Sequence, residues 1–276
     1  MNNINLLGRA IKALALAGFC FLFSTNAGAQ SADTTLYIAY AYMKVKPGKE
    51  AEYLKMEKAY KKLHTAAQKA GNLADWALAR IVSPYGANCE YNYVASNVLR
   101  GSEQLARFYE GSPGGNWQSL LTKEEIALVN RTDEIRTLVK QEVWSVADGI
   151  FPADWKKGKV LVFNYFSSPA DATRADHVKV EQDIWKPIHA ARVKDGKMKA
   201  WILYEMEFPF GADMPYNMAT ADVYTDMKEY LAPWFNDYFK KVHPGKDMDQ
   251  LIQQTQAVTT LRKGEVRMIL DRLDWK

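Results

Sequence analysis

KKLHTAAQKAGNLADWALARIVSPYGANCEYNYVASNV, residues 61–98, runs without a gap against KPIHAARVKDGKMKAWILYEMEFPFGADMPYNMATADV, residues 186–223. At this offset of 125 residues, 13 of 38 positions are identical, where random pairing at average usage gives roughly two. The matches differ in chemical kind: His64 with His189, Gly71 with Gly196, Trp76 with Trp201, Leu78 with Leu203, and Tyr91-Asn92 with Tyr216-Asn217. Pro84, Gly86 and Ala87 likewise meet Pro209, Gly211 and Ala212. A repeat of this length is a whole small domain, too long for a solenoid unit. The chain therefore divides into residues 1–29, a first repeat over 30–150 and a second over 151–276.

Each repeat carries the same order of elements. In the first, the aromatic run 36–43 reads as a strand and Glu50 to Ala70 has helical apolar spacing closed by Gly71. Trp76 to Val82 and Cys89 to Val98 read as strands joined by a Pro/Gly turn. Residues 102–132 read mostly as helix, broken at Ser112-Pro113-Gly114-Gly115, and 138–146 is the closing strand. The second repeat gives strand 159–167, helix 173–194, strands 198–208 and 215–224, helix 226–260 and strand 265–271. This β-α-β-β-α-β order is the ferredoxin-like split unit, an antiparallel sheet with helices on one face. The other face must be covered. Two tandem repeats achieve this by packing sheet to sheet as an intrachain α+β barrel.

Alternation along the strands places Trp76, Leu78 and Arg80 on one face, with Trp201, Leu203 and Glu205 at the equivalent places. The opposite face, holding Ile81 or Ile202, Tyr204 and Met206, suits helix packing. Glu142 and Trp144 of one closing strand correspond to Glu265 and Arg267 of the other. A sheet face that mixes aromatics with charge points to a polar-lined cavity between the sheets; the alternative is that the charges lie at strand ends and meet solvent.

The N-terminus predicts export. Residues 1–29 contain Arg9, Lys12 and no acid, then the apolar run Ala13 to Phe23, then Ala27-Gly28-Ala29. This is the pattern of a signal peptide cleaved before Gln30, since about 11 apolar residues are too few to span a bilayer. Phe19 before Cys20 argues against a lipoprotein. Without its two leader cations the chain's net charge falls from +4 to +2. Such near-balance gives no case for nucleic acid or an anionic membrane. Cys89 is then the sole cysteine, so no intrachain disulfide is expected, and its counterpart, Met214, marks the position as packing.

His64 and His189 are the candidate catalytic residues. They occupy matched places near the end of the first helix of each repeat, and serve as general base, ligand or hydrogen-bond partner, or simply bridge helix to sheet. Asn92 and Asn217 either orient a ligand or brace a hairpin backbone. Arg80 and Glu205 are matched with reversed charge, and as an ion pair they would meet across the barrel. With Trp76, Trp201, Glu142 and Arg267 they complete the candidate ligand-binding set. No metal site is expected: His177 and His189 lie roughly 18 Å apart on one helix, and there is no HExxH motif.

A tandem β-α-β-β-α-β chain with an aromatic and polar sheet face resembles the dimeric α+β barrel superfamily over residues 36–273. That group includes antibiotic-biosynthesis monooxygenase-like, EthD-like, NIPSNAP-like and chlorite dismutase-like proteins. The resemblance implies a small organic molecule or haem held by His, Asn, Arg, Tyr or Trp. It leaves open an oxygenase-like enzyme, cofactor-independent or haem-dependent, a binding module of the cell envelope, and a filled scaffold.

Overall fold

The computed structural model describes residues 33–86, 89–110 and 117–273; the expected leader and the Ser112–Gly115 break lie outside them. The first half runs β1 (Leu36–Val45), α1 (Glu50–Lys69), β2 (Asp75–Ser83), β3 (Tyr93–Arg100), α2 (Gly101–Tyr109), α3 (Lys123–Val129), α4 (Thr132–Ile135) and β4 (Arg136–Ile150). The second runs β5 (Val160–Ser167), α5 (Arg174–Val180), a π-helical turn (Glu181–Trp185), α6 (Lys186–Lys194), β6 (Ala200–Phe208), β7 (Met218–Tyr224), α7 (Met227–Leu231), α8 (Phe235–Val242), α9 (Met248–Val258) and β8 (Thr260–Arg272). Helix α1 forms where the apolar spacing places it. Glu50 and Glu52 complement the dipole in its first turn, Lys69 does so in its last, and Gly71 supplies the positive φ of +75° that stops it.

All neighbouring strands are antiparallel, and they close a barrel in the order β1-β3-β2-β8-β5-β7-β6-β4. Each half supplies four contiguous strands, β4-β1-β3-β2 and β8-β5-β7-β6. The two groups face one another and are also hydrogen-bonded along both seams, β2 to β8 and β4 to β6. Closure leaves no sheet edge unpaired. Both seams carry bulges, at Leu78/Ala79 and Ile81/Ser83 on one side and at Val143/Trp144 and Val146/Asp148 on the other. Bulges add local twist and bend a strand, which is what a sheet needs to turn the corner into the next.

The strand faces are the reverse of the sequence expectation. Trp76, Leu78, Trp201 and Leu203 pack outward against helices, whereas Ile81, Ile202, Tyr204 and Met206 point into the barrel with Tyr40, Tyr42, Trp144 and Tyr165. The physical reason is that a helix-covered barrel buries both faces of its strands, as β7 shows with every residue buried. Apolar alternation then no longer marks which side is inner.

Two helices also depart from expectation. Residues 226–260 form three helices because Pro233 and the Pro244-Gly245 turn, with Gly245 at φ +73°, interrupt them. The helix over 173–194 passes through the π-turn just before Pro187, whose missing N–H cannot bond to the carbonyl four residues back. Among the described residues no helix is long and apolar enough to cross a membrane.

Candidate functional site

Residues two apart on a strand share a face, and four strands use this to bring polar groups into the barrel. Strands β4 and β8 present Lys140, Glu142, Trp144 and Lys263, Glu265, Arg267; β1 and β5 present Tyr40, Tyr42 and Phe163, Tyr165. Glu142 accepts hydrogen bonds from the Tyr42 hydroxyl (2.7 Å), the Tyr216 hydroxyl (2.7 Å) and Trp144 Nε1 (3.2 Å), and pairs with Lys140 at 3.0 Å. Glu265 accepts from the Tyr91 hydroxyl, from Arg267 Nε (3.1 Å) and Nη2 (2.8 Å), and pairs with Lys263 at 2.6 Å. The two sets meet where the hydroxyls of Tyr42 and Tyr165 lie 3.1 Å apart. Tyr42 gives its one proton to Glu142, so the single proton of Tyr165 is shared between Tyr42 and Glu265 Oε2 at 3.3 Å.

Burial opposes the charge of Glu265, but Arg267 and Lys263 outweigh it and hold its carboxyl down at about 2. Burial holds the phenols of Tyr42, Tyr165 and Tyr204 well above their ordinary value, so all three stay protonated. Arg267, 1% exposed, stays charged: desolvation works against the guanidinium, and the Glu265 carboxylate beside it at 2.8 Å favours the charge.

The other end of the barrel holds a cavity of about 470 Å³. Ile38, Val94, Leu161, Ile202 and Ile269 form apolar wall, and Tyr40, Tyr204 and Arg267 form a polar base. The segment joining β4 to β5 contributes Phe151 and Trp155 to the lining, and Asp75, in an ion pair with Lys156 at 2.6 Å, lies there too. The volume falls in the range of small-molecule sites, which are apolar with a few convergent polar groups. A larger cleft of about 740 Å³ runs beside α6, α7 and α8. It is more open, and its Lys241 and Asp195 are already paired at 2.5 Å, so the barrel interior is the better candidate.

The site residues expected from sequence divide. Glu142 and Arg267 are inside the barrel. His64 stacks on Trp76 (centroids 5.1 Å apart, 19° between planes) and His189 on Trp201 (5.5 Å, 13°), both in the layer between helix and sheet. Burial lowers these imidazoles to about 4 and about 3, so both are neutral near pH 7. Trp76 also borders the cavity, whereas Trp201 belongs to the helix-side cluster. Asn92 Oδ1 accepts the backbone N–H of Val45 at 2.8 Å, tying the end of β1 to the start of β3; Asn217 anchors its strand through its own N–H to Phe166 O at 2.9 Å. Arg80 lies 3.9 Å from Glu50 on the helix side. No ion pair joins Arg80 to Glu205 among the described residues, because both strand positions face outward, away from the barrel axis.

The sequence reading missed Tyr40, Tyr42, Lys140, Tyr165, Tyr204 and Lys263. A signal for part of this set was available in the closing strands, where Lys140-Gln-Glu142-Val-Trp144 matches Lys263-Gly-Glu265-Val-Arg267.

Haem does not fit this arrangement. No histidine lines the cavity. His64 and His189 are stacked flat on tryptophans, His177 is held by Glu181 (3.3 Å), and His243 contacts the Ile184 carbonyl (2.9 Å). Among the described residues no group of His, Cys, Asp and Glu is placed to hold a metal ion.

The fold is a closed eight-stranded antiparallel barrel with both halves in one chain. Solved structures similar to it include a putative monooxygenase from Fusobacterium nucleatum, at 12% identity, covering 88% of this chain and 94% of the other with a TM-score of 0.50. An anthrone oxidase-like protein (12% identity, 87% and 93% covered, TM-score 0.49) and a haem-binding protein from Thermus thermophilus (11%, 86% and 92%, 0.45) are also similar. At these identities the likeness is one of fold. No family model and no curated relative matches the sequence.

Proposed function

We propose that this is an exported protein, built from two tandem ferredoxin-like repeats, that binds a small, mostly apolar molecule inside its barrel. One observation carries the reading: a cavity of about 470 Å³ with apolar walls ends on three convergent polar groups, Tyr40, Tyr204 and Arg267. A scaffold with a filled interior would not keep such a space. The leader pattern of residues 1–29 supports export, and the matched segments 61–98 and 186–223 support the duplication. Native mass spectrometry of the protein purified from its exporting host tests both parts. A chain starting at Gln30 with added small-molecule mass is the expected result. A chain retaining residues 1–29 would overturn export, and a bare chain that takes up no apolar probe would overturn binding.

Oxygenase-like catalysis is a second reading, favoured by a run of hydrogen bonds. It leads from Arg267 at the cavity base through Tyr165, Tyr42 and Glu142 to Lys140, which is partly exposed at the opposite end. Arg267 stays protonated and takes no proton from a substrate; under this reading it would stabilise an oxyanion formed on the bound substrate, and the run holds its guanidinium in place. Tyr42→Phe breaks it without touching the cavity. Under this reading the variant loses turnover about 10²-fold while ligand affinity is kept; equal loss of both would remove this reading.

A further inference from the structure

We infer that the molecule held in the barrel is an anion, carrying one carboxylate or acidic phenol that pairs with Arg267. This rests on the binding reading above and goes beyond it in naming the chemical class.

The inner charges do not balance. Lys140 answers Glu142 at 3.0 Å, and Lys263 answers Glu265 at 2.6 Å. Each carboxylate thus already has a cation, and the two halves match to this point. They part at the next inward position, where β4 has Trp144 and β8 has Arg267. Trp144 completes its half with a neutral N–H to Glu142. Arg267 adds a whole charge to a half that was neutral without it. Arg267 and Lys263 thus share the single carboxylate of Glu265, which leaves one net positive charge at the cavity base, and a buried charge that is only partly answered is expensive.

Geometry shows where the counter-charge belongs. The Nε and Nη2 atoms of Arg267 are committed to Glu265 and Tyr165. Nη1 takes part in none of these bonds, and Arg267 lines the cavity. The ring of Phe163 lies 4.3 Å below the guanidinium carbon and covers one face, so an acceptor approaches from the cavity, where Tyr40 and Tyr204, hydrogen-bonded to each other, keep one hydroxyl proton to donate. The other charges of the lining do not supply the missing one. Asp75 is paired with Lys156 at 2.6 Å, and Arg272, bonded to the carbonyls of Lys156 and Gly158, adds a further cation. Apolar walls around a cationic base select an apolar acid, and a guanidinium donor in a water-poor site discriminates strongly between an anion and its neutral isostere.

The experiment compares 2-naphthoate with 2-naphthamide, which have the same shape and differ in charge, by calorimetric titration of the mature protein at pH 7. An acidic phenol, 4-nitro-1-naphthol, is added to separate the two anion sources. The expected result is binding of naphthoate, nitronaphthol or both at least tenfold tighter than the amide. Arg267→Gln should abolish that gap, and a circular-dichroism spectrum and a cooperative unfolding curve like those of the parent report that the variant is folded. Arg267→Lys should keep part of it, and serves if the glutamine variant does not fold. If the amide binds wild type as well as both anions do, the inference is overturned and the binding reading stands. If none of the three binds, the binding reading falls with it.

Discussion

Glu142 and Glu265 are the same residue met twice in different company. The first has one cation beside it and three neutral donors; the second has Lys263 and Arg267. Removing the charge of Glu265 therefore strands two cations, one of them 1% exposed. Breaking a buried pair costs about 3–5 kcal/mol, so Glu265→Gln should lower urea stability by about that much. Glu142→Gln should cost clearly less, because Lys140 can turn to solvent. Equal losses would mean that Arg267 contributes nothing to the difference. The effect has a pH signature. The folded carboxyl of Glu265 sits at about 2 against an ordinary 4.5. Its contribution is present in full above pH 4.5 and is lost as pH falls toward 2. Unfolding curves taken across that window should lose part of their slope in the glutamine variant.

The connection between β4 and β5 makes a prediction about access. Gly149 closes β4 two residues before Phe151, and a Cβ there would lie 2.3 Å from Phe151 Cε2. The ring is 42% exposed at the cavity rim, packed edge-on against Trp155, so Gly149→Ala should fold with the ring displaced and the rim opened. Ligand release should quicken by up to about tenfold with little change in association, since affinity changes within one site fall mostly on the off-rate; stopped-flow measurement with a bound fluorescent probe would show it. Unchanged release would mean that Phe151 does not gate the cavity. The element order was legible in the sequence because turns, caps and the repeat are local signals: Gly71, Pro84-x-Gly86 and their partners mark the same boundaries twice. The inner face was not legible. Trp76 and Trp201 looked like site residues because they are matched, aromatic and share a strand face with charge. They are matched because each seats a histidine from the helix above. Glu142 and Arg267 could be found, since charge in a closing strand is unusual, but their tyrosine partners come from two other strands, β1 and β5, and a loop. Only barrel closure brings Tyr42 and Tyr165, 123 residues apart, within 3.1 Å.

At the scale of the whole molecule, each half has in its helix-facing layer one histidine and one acid that burial shifts strongly, and these pull stability in opposite directions with pH. In the first half burial lowers His64 to about 4 and raises Glu57 to about 7; in the second it lowers His189 to about 3 and raises Asp222 to about 7. For the histidines the unfolded chain takes up protons first. Their contribution is present above the ordinary 6.5 and is lost as pH falls through about 4 and about 3. For the acids the folded chain takes up protons first. Their contribution is present below the ordinary carboxylate values and is lost as pH rises through about 7. The slopes overlap between pH 4 and pH 7 and oppose one another, so the intact protein should show nearly level stability there. Replacing both histidines by Phe keeps an aromatic ring on each tryptophan and removes one side of the balance. The double variant His64→Phe/His189→Phe should therefore gain stability steadily as pH is lowered from 7 to 4, read from urea midpoints at half-unit steps. A variant as level as the parent would show that the histidines do not titrate in this window. A parent that loses stability steeply below pH 6 would show that the acids do not offset them. Because each half holds its own opposing pair, the single variants should each show about half of the gain, and the two gains should add, since they lie in separate layers on opposite sides of the barrel.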